Sequence, residues 1–414
     1  MAGYDVVVVG GGASGMMAAI MAGTRNKRVL LIERNNGLGK KLLMTGNGRC
    51  NITNFSDIES FLSKFSGTPD FLRNAFSKFF NTELIAFFEN SGLKFKTADD
   101  GSLRVFPITD RAADVLKILD FRLRDGNVDI VFNERVKKVF LKNGTVCGVM
   151  TFSGKVFDAK KIVLATGGCS YPGTGSTGDG YNIAKALGHK VVAAVPALVP
   201  VCIKEPFARD WQGITLKNIR LTVFADNKKM ISCCGDILFT HFGLSGPLIL
   251  DVSFDIVKAL RLKKTIELGI DFYNKSGNFD NLETELIKLF TVASKKSIKN
   301  VCRKFLPLRM ISGFLDYCKI NSGQMVSYIT VDERRRLTNA LSDLRLTVTK
   351  PLSVKDAVVT AGGVDLKEID PRTMGSKIIN GLYFAGELLN IDAKTGGYNL
   401  QAAFSTGWVC GMSV

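Results

Sequence analysis

The chain has 414 residues, 46% of them hydrophobic, which suits two or three globular domains rather than one compact core. No run of about eighteen apolar residues is present, and the N-terminal apolar run lacks the basic flank of a signal peptide, so no membrane span and a cytoplasmic location are expected. The formal charge of +17 admits anionic partners, yet its densest groups (Arg25–Arg28, Lys295–Lys304, Arg334–Arg336) read as solvated helix faces or loop ends, and nucleic acid is not expected as a partner.

Val6 to Val9 form an apolar run too short for a helix and suited to a strand buried on both faces. Gly10, Gly12 and Gly15 follow at once in G-x-G-x-x-G spacing. Gly10 permits the tight turn, Gly12 lets backbone approach a pyrophosphate, and Gly15 lets the next helix pack on the strand. Ala13 and Ser14 stand where that helix opens, presenting unpaired amides to phosphate. A second apolar strand, Arg28–Ile32, ends in Glu33 and Arg34, about twenty residues on, where a carboxylate accepts from ribose hydroxyls. Strand, glycine loop, helix, strand and acid in that order predict a dinucleotide site.

Residues 37–54 read G-L-G-K-K-L-L-M-T-G-N-G-R-C-N-I-T-N. A loop this rich in glycine brings backbone close to a ligand, and Lys41 and Arg49 can neutralise phosphates. Thr45, Gly46, Gly48, Cys50 and Asn51 share that loop and are further candidates. Following a Rossmann βαβ unit, the run resembles the signature of a bacterial family of FAD-dependent, or NAD(P)/FAD-dependent, oxidoreductases. That family includes aminoacetone oxidase-like and bile-acid-type enone reductase-like members. The resemblance spans nearly the whole chain and implies FAD in the N-terminal fold.

Residues 56–125 read as helical with an aromatic stripe, interrupted by G-S-L-R-V-F-P at 101–107. Similar blocks lie near the flavin in the family. Arg104 is therefore the candidate anion contact, with a surface ion pair as the equal alternative. Two strands and a hairpin at Lys142–Gly144 follow. By resemblance to Rossmann flavoproteins, Val136 offers its backbone to the adenine, and the A-T-G-G block with Thr166 and Gly167 returns beneath the cofactor. A second polar glycine loop, 170–180, either lines a site or only turns.

From about residue 191 the character changes to short strands and then a basic helical stretch, with no second G-x-G-x-x-G for NAD(P)H. His241 lies in a family-like block at 236–247 and is a candidate acid, base or substrate contact against the commoner structural role. Near the C-terminus, T-x-G-G-V at 360–364 resembles a strand end of the family, and the strand ending in Gly386–Glu387 resembles its C-terminal FAD motif, whose acid holds the ribityl chain. Gly397, Tyr398, Asn399 and Leu400 open the last helix, whose positive end stabilises charge at the flavin N1–C2=O edge.

The expected fold is α/β. Residues 1–190 and 351–414 form a Rossmann-like FAD-binding domain, and 191–275 with 343–350 an inserted β-domain that shapes the substrate pocket. Residues 276–342 form a helical subdomain. Nine cysteines without C-x-x-C spacing read as reduced thiols, with Cys233 and Cys234 expected to be buried. Two histidines offer little to a metal, and none is expected. Three functions compete. The first is an FAD oxidoreductase on a small-molecule substrate, either an oxidase using oxygen or a reductase fed transiently by NAD(P)H. The others are an RNA-modifying flavoprotein and a non-catalytic flavin-binding protein. Oligomeric state is open.

Overall fold

The computed structural model describes residues 3–273 and 282–414. The chain divides into two compact units, Met1–Ala197 with Val354–Val414, and Leu198–Ser353. The first boundary falls later than the composition suggests because strand Val191–Ala197 pairs antiparallel with Val359–Val364 inside the first unit. The expected helical stretch 276–342 begins outside the described residues.

The first unit is built on a seven-stranded sheet. Tyr4–Val9 runs parallel between Val29–Ile32 and Val156–Leu164, and Asp129–Val131 extends the sheet beyond Val29–Ile32. Strand Val156–Leu164 forks. Its first half pairs antiparallel with Thr145–Thr151, while its end pairs in parallel with Leu382–Phe384. The hairpin Val136–Lys142 to Thr145–Thr151 turns through Asn143 and Gly144, both at positive φ. Val6, Val7 and Val8 are fully enclosed, as a strand covered on both faces requires.

Helix Ala13–Gly23 follows the first strand, and helix Tyr398–Ser413 lies against it. A Cβ at Gly407 would strike the Ser14 carbonyl, and one at Gly411 the Ala18 carbonyl. The two helices therefore run in the same direction at backbone contact. The final helix starts about eight residues, or about 12 Å, before the first one in that direction.

Residues 56–125 are less helical than their pattern suggests. Helices Ile58–Leu62, Arg73–Phe76 and Asn81–Glu89 are short, and a three-stranded sheet of Thr53–Asn54, Phe95–Thr97 and Arg104–Pro107 interrupts them before helix Ala112–Asp125. The phenylalanines divide between core clusters. Phe61 sits edge-on to Phe76 and Tyr398, with ring centroids 5.2 and 4.7 Å away.

The second unit is a closed antiparallel barrel of six strands, in the order Val201–Ile203, Gly243–Ser245, Lys228–Thr240, Thr215–Ala225, Ile266–Asp271 and Leu344–Pro351. Closure leaves no unpaired edge. Helix Pro247–Arg261 buries Leu248, Ile249, Val252 and Ile256. Helices Leu282–Val292, Ile298–Cys302, Ile311–Tyr317 and Val331–Ser342 lie in sequence between the last two strands. Cys233 is half-buried and Cys234 exposed, against the expectation that both are buried, because their strand turns one face outward. No helix among the described residues is long and apolar enough to cross a membrane.

Candidate functional site

The glycine loop is shaped by close approaches. Gly10 has φ +108°, and a Cβ there would meet the Ala165 carbonyl; a Cβ at Gly15 would strike the Gly10 carbonyl. Gly12 differs: a Cβ there would meet nothing within 4 Å, and as N-cap of helix Ala13–Gly23 it supplies no side-chain cap. An eleven-residue helix thus opens onto free space with unsatisfied amides, an arrangement that suits a pyrophosphate. Gly48 likewise borders open space, and Thr166 Oγ1, beside the second glycine loop, is buried with no hydrogen-bond partner.

At one end of this groove Glu33 is 7% exposed. It accepts from Gly11 N at 2.7 Å, Asn35 N at 2.8 Å and Asn35 Nδ2 at 2.7 Å. Arg34 donates to Thr177 Oγ1 at 2.5 Å and Asp179 at 3.0 Å, and Arg135 grips Asp179 bidentately at 2.7 and 2.6 Å. Burial pushes the Asp179 carboxyl up, but Arg135, Thr177 and Arg34 more than offset it and hold it below its ordinary value. Val136 and Asp179 line a cavity of about 340 Å³ next to this knot.

At the other end, segments far apart in the chain meet. Lys41 Nζ donates to Glu387 Oε2 and Ser170 Oγ, both at 2.9 Å. Glu387 Oε1 accepts from Thr360 N at 2.8 Å and Ser170 Oγ at 3.1 Å. Thr360 Oγ1 in turn accepts from the amides of Cys169 and Ser170 at 2.8 and 3.0 Å. Gly168 lies against this cluster: a Cβ there would come within 3.1 Å of Glu387 Oε1. Gly386, at φ +71°, abuts Ser14. Lys41, Gly167 and Glu387 are thus brought together from three distant stretches of sequence.

The remaining candidates divide. Gly397 caps the sixteen-residue helix Tyr398–Ser413 at φ +98° with no side-chain cap, and a Cβ there would strike the Thr53 carbonyl. With its amide turned to satisfy both ends, Asn51 accepts from Gly397 N at 3.0 Å and donates to Thr53 O at 3.1 Å, fastening the 37–54 loop to that helix. Asn399 holds the preceding turn, accepting from Ala393 N at 2.9 Å and donating to its carbonyl at 2.8 Å, and Leu400 is half-buried. The Tyr398 ring is buried among phenylalanines. Thr45 donates to Leu42 O at 2.7 Å, and Gly46 follows at φ +57°. Cys50 is wholly enclosed; burial pushes its thiol up to about 12, against a hydrogen bond with Thr45, so it is a protonated packing group at neutral pH. Arg49 is exposed and stacks over Phe106, its guanidinium 4.5 Å from the ring centroid.

Arg104 has the geometry of a surface ion pair, to Asp100, with Nε donating to Ser102 Oγ at 2.8 Å. Its guanidinium also lies 5.8 Å from the Phe106 ring that Arg49 covers. His241 belongs to the second unit, exposed at the turn between strands Lys228–Thr240 and Gly243–Ser245, its ring against Phe242. Reasoning from sequence leaves the loop 170–180, with Ser170 and Asp179, open between lining a site and turning, and reads Thr360 only as part of the T-x-G-G-V run, without assigning any of the three a role. The hydroxyls of the second glycine loop and an aspartate opening helix Asp179–Ala186 were the available signals.

A family model described as the HI0933-like protein Rossmann domain matches residues 4–413. A 3-dehydro-bile acid delta(4,6)-reductase of Clostridium scindens is 32% identical over 412 residues, covering 98% of this chain and 97% of that protein. A ribosomal RNA dihydrouridine synthase of Escherichia coli is 29% identical over 408 residues, again covering 98% and 97%. Its namesake from Haemophilus influenzae is 27% identical over 413 residues, covering 99% of this chain and 98% of that one. Among solved structures, the E. coli quinol fumarate reductase FrdA is similar with a TM-score of 0.50 at 16% identity, covering 99% of this chain and 69% of that one, a likeness of fold alone. Glycine loop, uncapped helix ends and orphaned threonine fit a bound dinucleotide, and the match runs from the first strand to the last helix: the chain belongs to the HI0933-like Rossmann family and is an FAD-dependent oxidoreductase.

Proposed function

We propose that this protein saturates a carbon–carbon double bond conjugated to a carbonyl, with NAD(P)H as reductant and a uracil ring of RNA as acceptor. The observation that carries this reading is similarity over at least 97% of each relative to proteins named for one chemistry on two substrates. Reduction of a 3-dehydro bile acid and synthesis of dihydrouridine both add two hydrogens across such a bond. A charge of +17 favours the polyanion, in departure from the reading of those lysines and arginines as merely solvated. The bile-acid relative, at 32%, favours a second reading in which the acceptor is a small cyclic enone.

Gly10, Gly12, Ala13, Ser14 and Gly15 would hold the FAD pyrophosphate, and Glu33, Arg34 and Val136 its adenosine. Lys41, Glu387, Thr166, Gly167 and Gly386 would hold the ribityl chain. The loop carrying Thr45, Gly46, Gly48, Arg49 and Asn51 would border the ring, and the amides of Tyr398, Asn399 and Leu400 at the open helix end would favour negative charge at its N1–C2=O edge. When bound and reduced, FAD supplies a hydride from its N5. Lys41, fixed by Glu387 and Ser170, and the positive end of helix Tyr398–Ser413 stabilise negative charge without reorganising during the reaction. In net terms NAD(P)H and one proton are consumed. The β-carbon gains the hydride, the α-carbon gains the proton, and NAD(P)⁺ is released.

The test incubates the FAD-loaded protein anaerobically with NADPH and unmodified ribosomal RNA, or with a 3-oxo-4,6-diene bile acid, and analyses products by mass spectrometry. Uridine gaining two hydrogens supports the proposal. A gain confined to the bile acid assigns the second reading. A flavin that NADPH fails to bleach, with neither product, overturns both and returns the oxidase branch.

A further inference from the structure

Residues 288–304 of the second unit carry six basic residues, Lys288, Lys295, Lys296, Lys299, Arg303 and Lys304, and no acidic one. All are exposed except Lys299, which is half-buried. The fold explains why they face outward. Leu286, Ile298, Val301 and Cys302 turn into the core of the unit; Lys288 stands on the outer side of helix Leu282–Val292, and Lys295, Lys296, Arg303 and Lys304 sit in the turns flanking helix Ile298–Cys302. Acidic residues do not neutralise them. Among the described residues the ion pairs of this unit use Arg334 and Arg345, and none of the six has a carboxylate within 4.0 Å. Such a concentration of like charge opposes folding unless something else is served by it.

A second feature lies on the same ground. The backbone of 294–298 pairs with 324–327: Val326 N donates to Lys296 O at 2.9 Å, Ile298 N to Gln324 O at 2.9 Å, and Ser327 N to Ser294 O at 3.2 Å. This pairing sets Lys295 and Lys296 beside the segment carrying Met325 and Tyr328, which are 49% and 72% exposed. A tyrosine so exposed contributes little to the core. Lysines that follow a phosphate backbone, interleaved with an aromatic face on which a base can stack, are what single-stranded nucleic acid requires.

We infer that the basic face formed by residues 288–304 and 324–328 is a docking surface for single-stranded or looped RNA. The inference rests on the RNA reading of the reaction but is tested apart from it. The FAD-loaded full-length protein is titrated with a labelled single-stranded ribosomal RNA fragment over a range of salt concentrations. Lys295→Gln/Lys296→Gln/Lys299→Gln and Tyr328→Ala variants are compared with it, and an unchanged flavin spectrum and melting temperature confirm their folding. Each lysine that neutralises a phosphate contributes about 0.7 to the slope of log affinity against log salt, so the triple variant flattens it by about 2 and binds more than tenfold more weakly near physiological salt. Tyr328→Ala weakens binding by about five- to a hundredfold with the slope unchanged.

Equal affinity and equal slope in all three proteins would overturn the inference. So would retention on phosphatidylglycerol vesicles, lost in the triple variant, without a change in RNA binding, which would assign the face to a membrane surface. If RNA binding falls as expected while no dihydrouridine forms, the surface stands and the proposed reaction fails. If dihydrouridine forms equally fast in the triple variant at limiting RNA, the reaction stands and the surface fails.

Discussion

The ion pair between Lys41 and Glu387 joins residues 346 positions apart and closes the cofactor half of the protein. Its worth is measurable as a double-mutant cycle of Lys41→Met and Glu387→Gln, both close in shape to the originals. The charges lie 2.9 Å apart with side chains only 26% and 19% exposed. At an effective dielectric near 20 their attraction is about 6 kcal/mol. Lost hydration offsets much of that, leaving a coupling of about 1–3 kcal/mol. Glu387→Gln alone should cost more than Lys41→Met, because it turns an amide NH₂ toward the ammonium while its remaining oxygen still serves Thr360 and Ser170. Urea unfolding of the flavin-free protein gives the cycle. Trp408 fluorescence in a common Trp211→Phe background confines the signal to the first unit, since these are the only two tryptophans. Single effects that add to within about 0.5 kcal/mol would show that the pair does not form in solution.

Two further expectations follow from the same side-chain geometry. Glu33→Ala removes the acceptor of the buried Gly11 amide, so it should destabilise the glycine loop by about 1–3 kcal/mol and weaken FAD binding by tenfold or more; equal FAD affinity in a fluorescence titration would refute the placement of Glu33 at the adenosine. The buried thiols Cys50, Cys302 and Cys318 are each raised by burial from 9.0 to about 12. In the unfolded chain they ionise first, so stability is unaffected below about pH 8 and falls as pH rises from 9 toward 12, by about 1.4 kcal/mol per unit for each thiol. Urea midpoints that stay level across that window would show that the thiols reach solvent in the native state.

The strand of valines, the glycine loop and the acid at its far end were legible because each is a local property of a few adjacent residues. Gly10 and Gly15 occupy positions where a Cβ collides with backbone, and collisions of that kind leave a spacing in the sequence. The shortfall came where tertiary contact decides. Thr360 is enclosed and organises Cys169 and Ser170, 191 and 190 positions away, through a single hydroxyl; the T-x-G-G-V run it opens marks a strand end but not that role. Asp179 was passed over for the same reason, since Arg34 and Arg135 reach it from 145 and 44 positions away. Conversely Cys50 and Asn399 stand in motif-like runs, yet their side chains hold the protein to itself, the thiol by packing and the amide by closing a turn.

That division has a physical source which bears on the substrate. A dinucleotide is grasped largely by backbone amides at helix ends, and backbone exposure demands glycine at particular spacings. A substrate is grasped by side chains whose neighbours are set by folding, so no spacing announces them. Charge is the exception, because it acts at a distance and needs no fixed register. The six basic residues of 288–304, none of them in an ion pair among the described residues, are under the proposed RNA reading the kind of substrate determinant that composition can reveal while side-chain positions elsewhere stay silent. Charge runs usually mark solvated helices and loop ends. What separates this run from such helices is the absence of any acidic residue within it, together with Tyr328 held beside it by backbone pairing. A solvated helix face gains from alternating signs, through pairs three and four residues apart; no acidic residue stands within four positions of Lys295, Lys296, Lys299, Arg303 or Lys304.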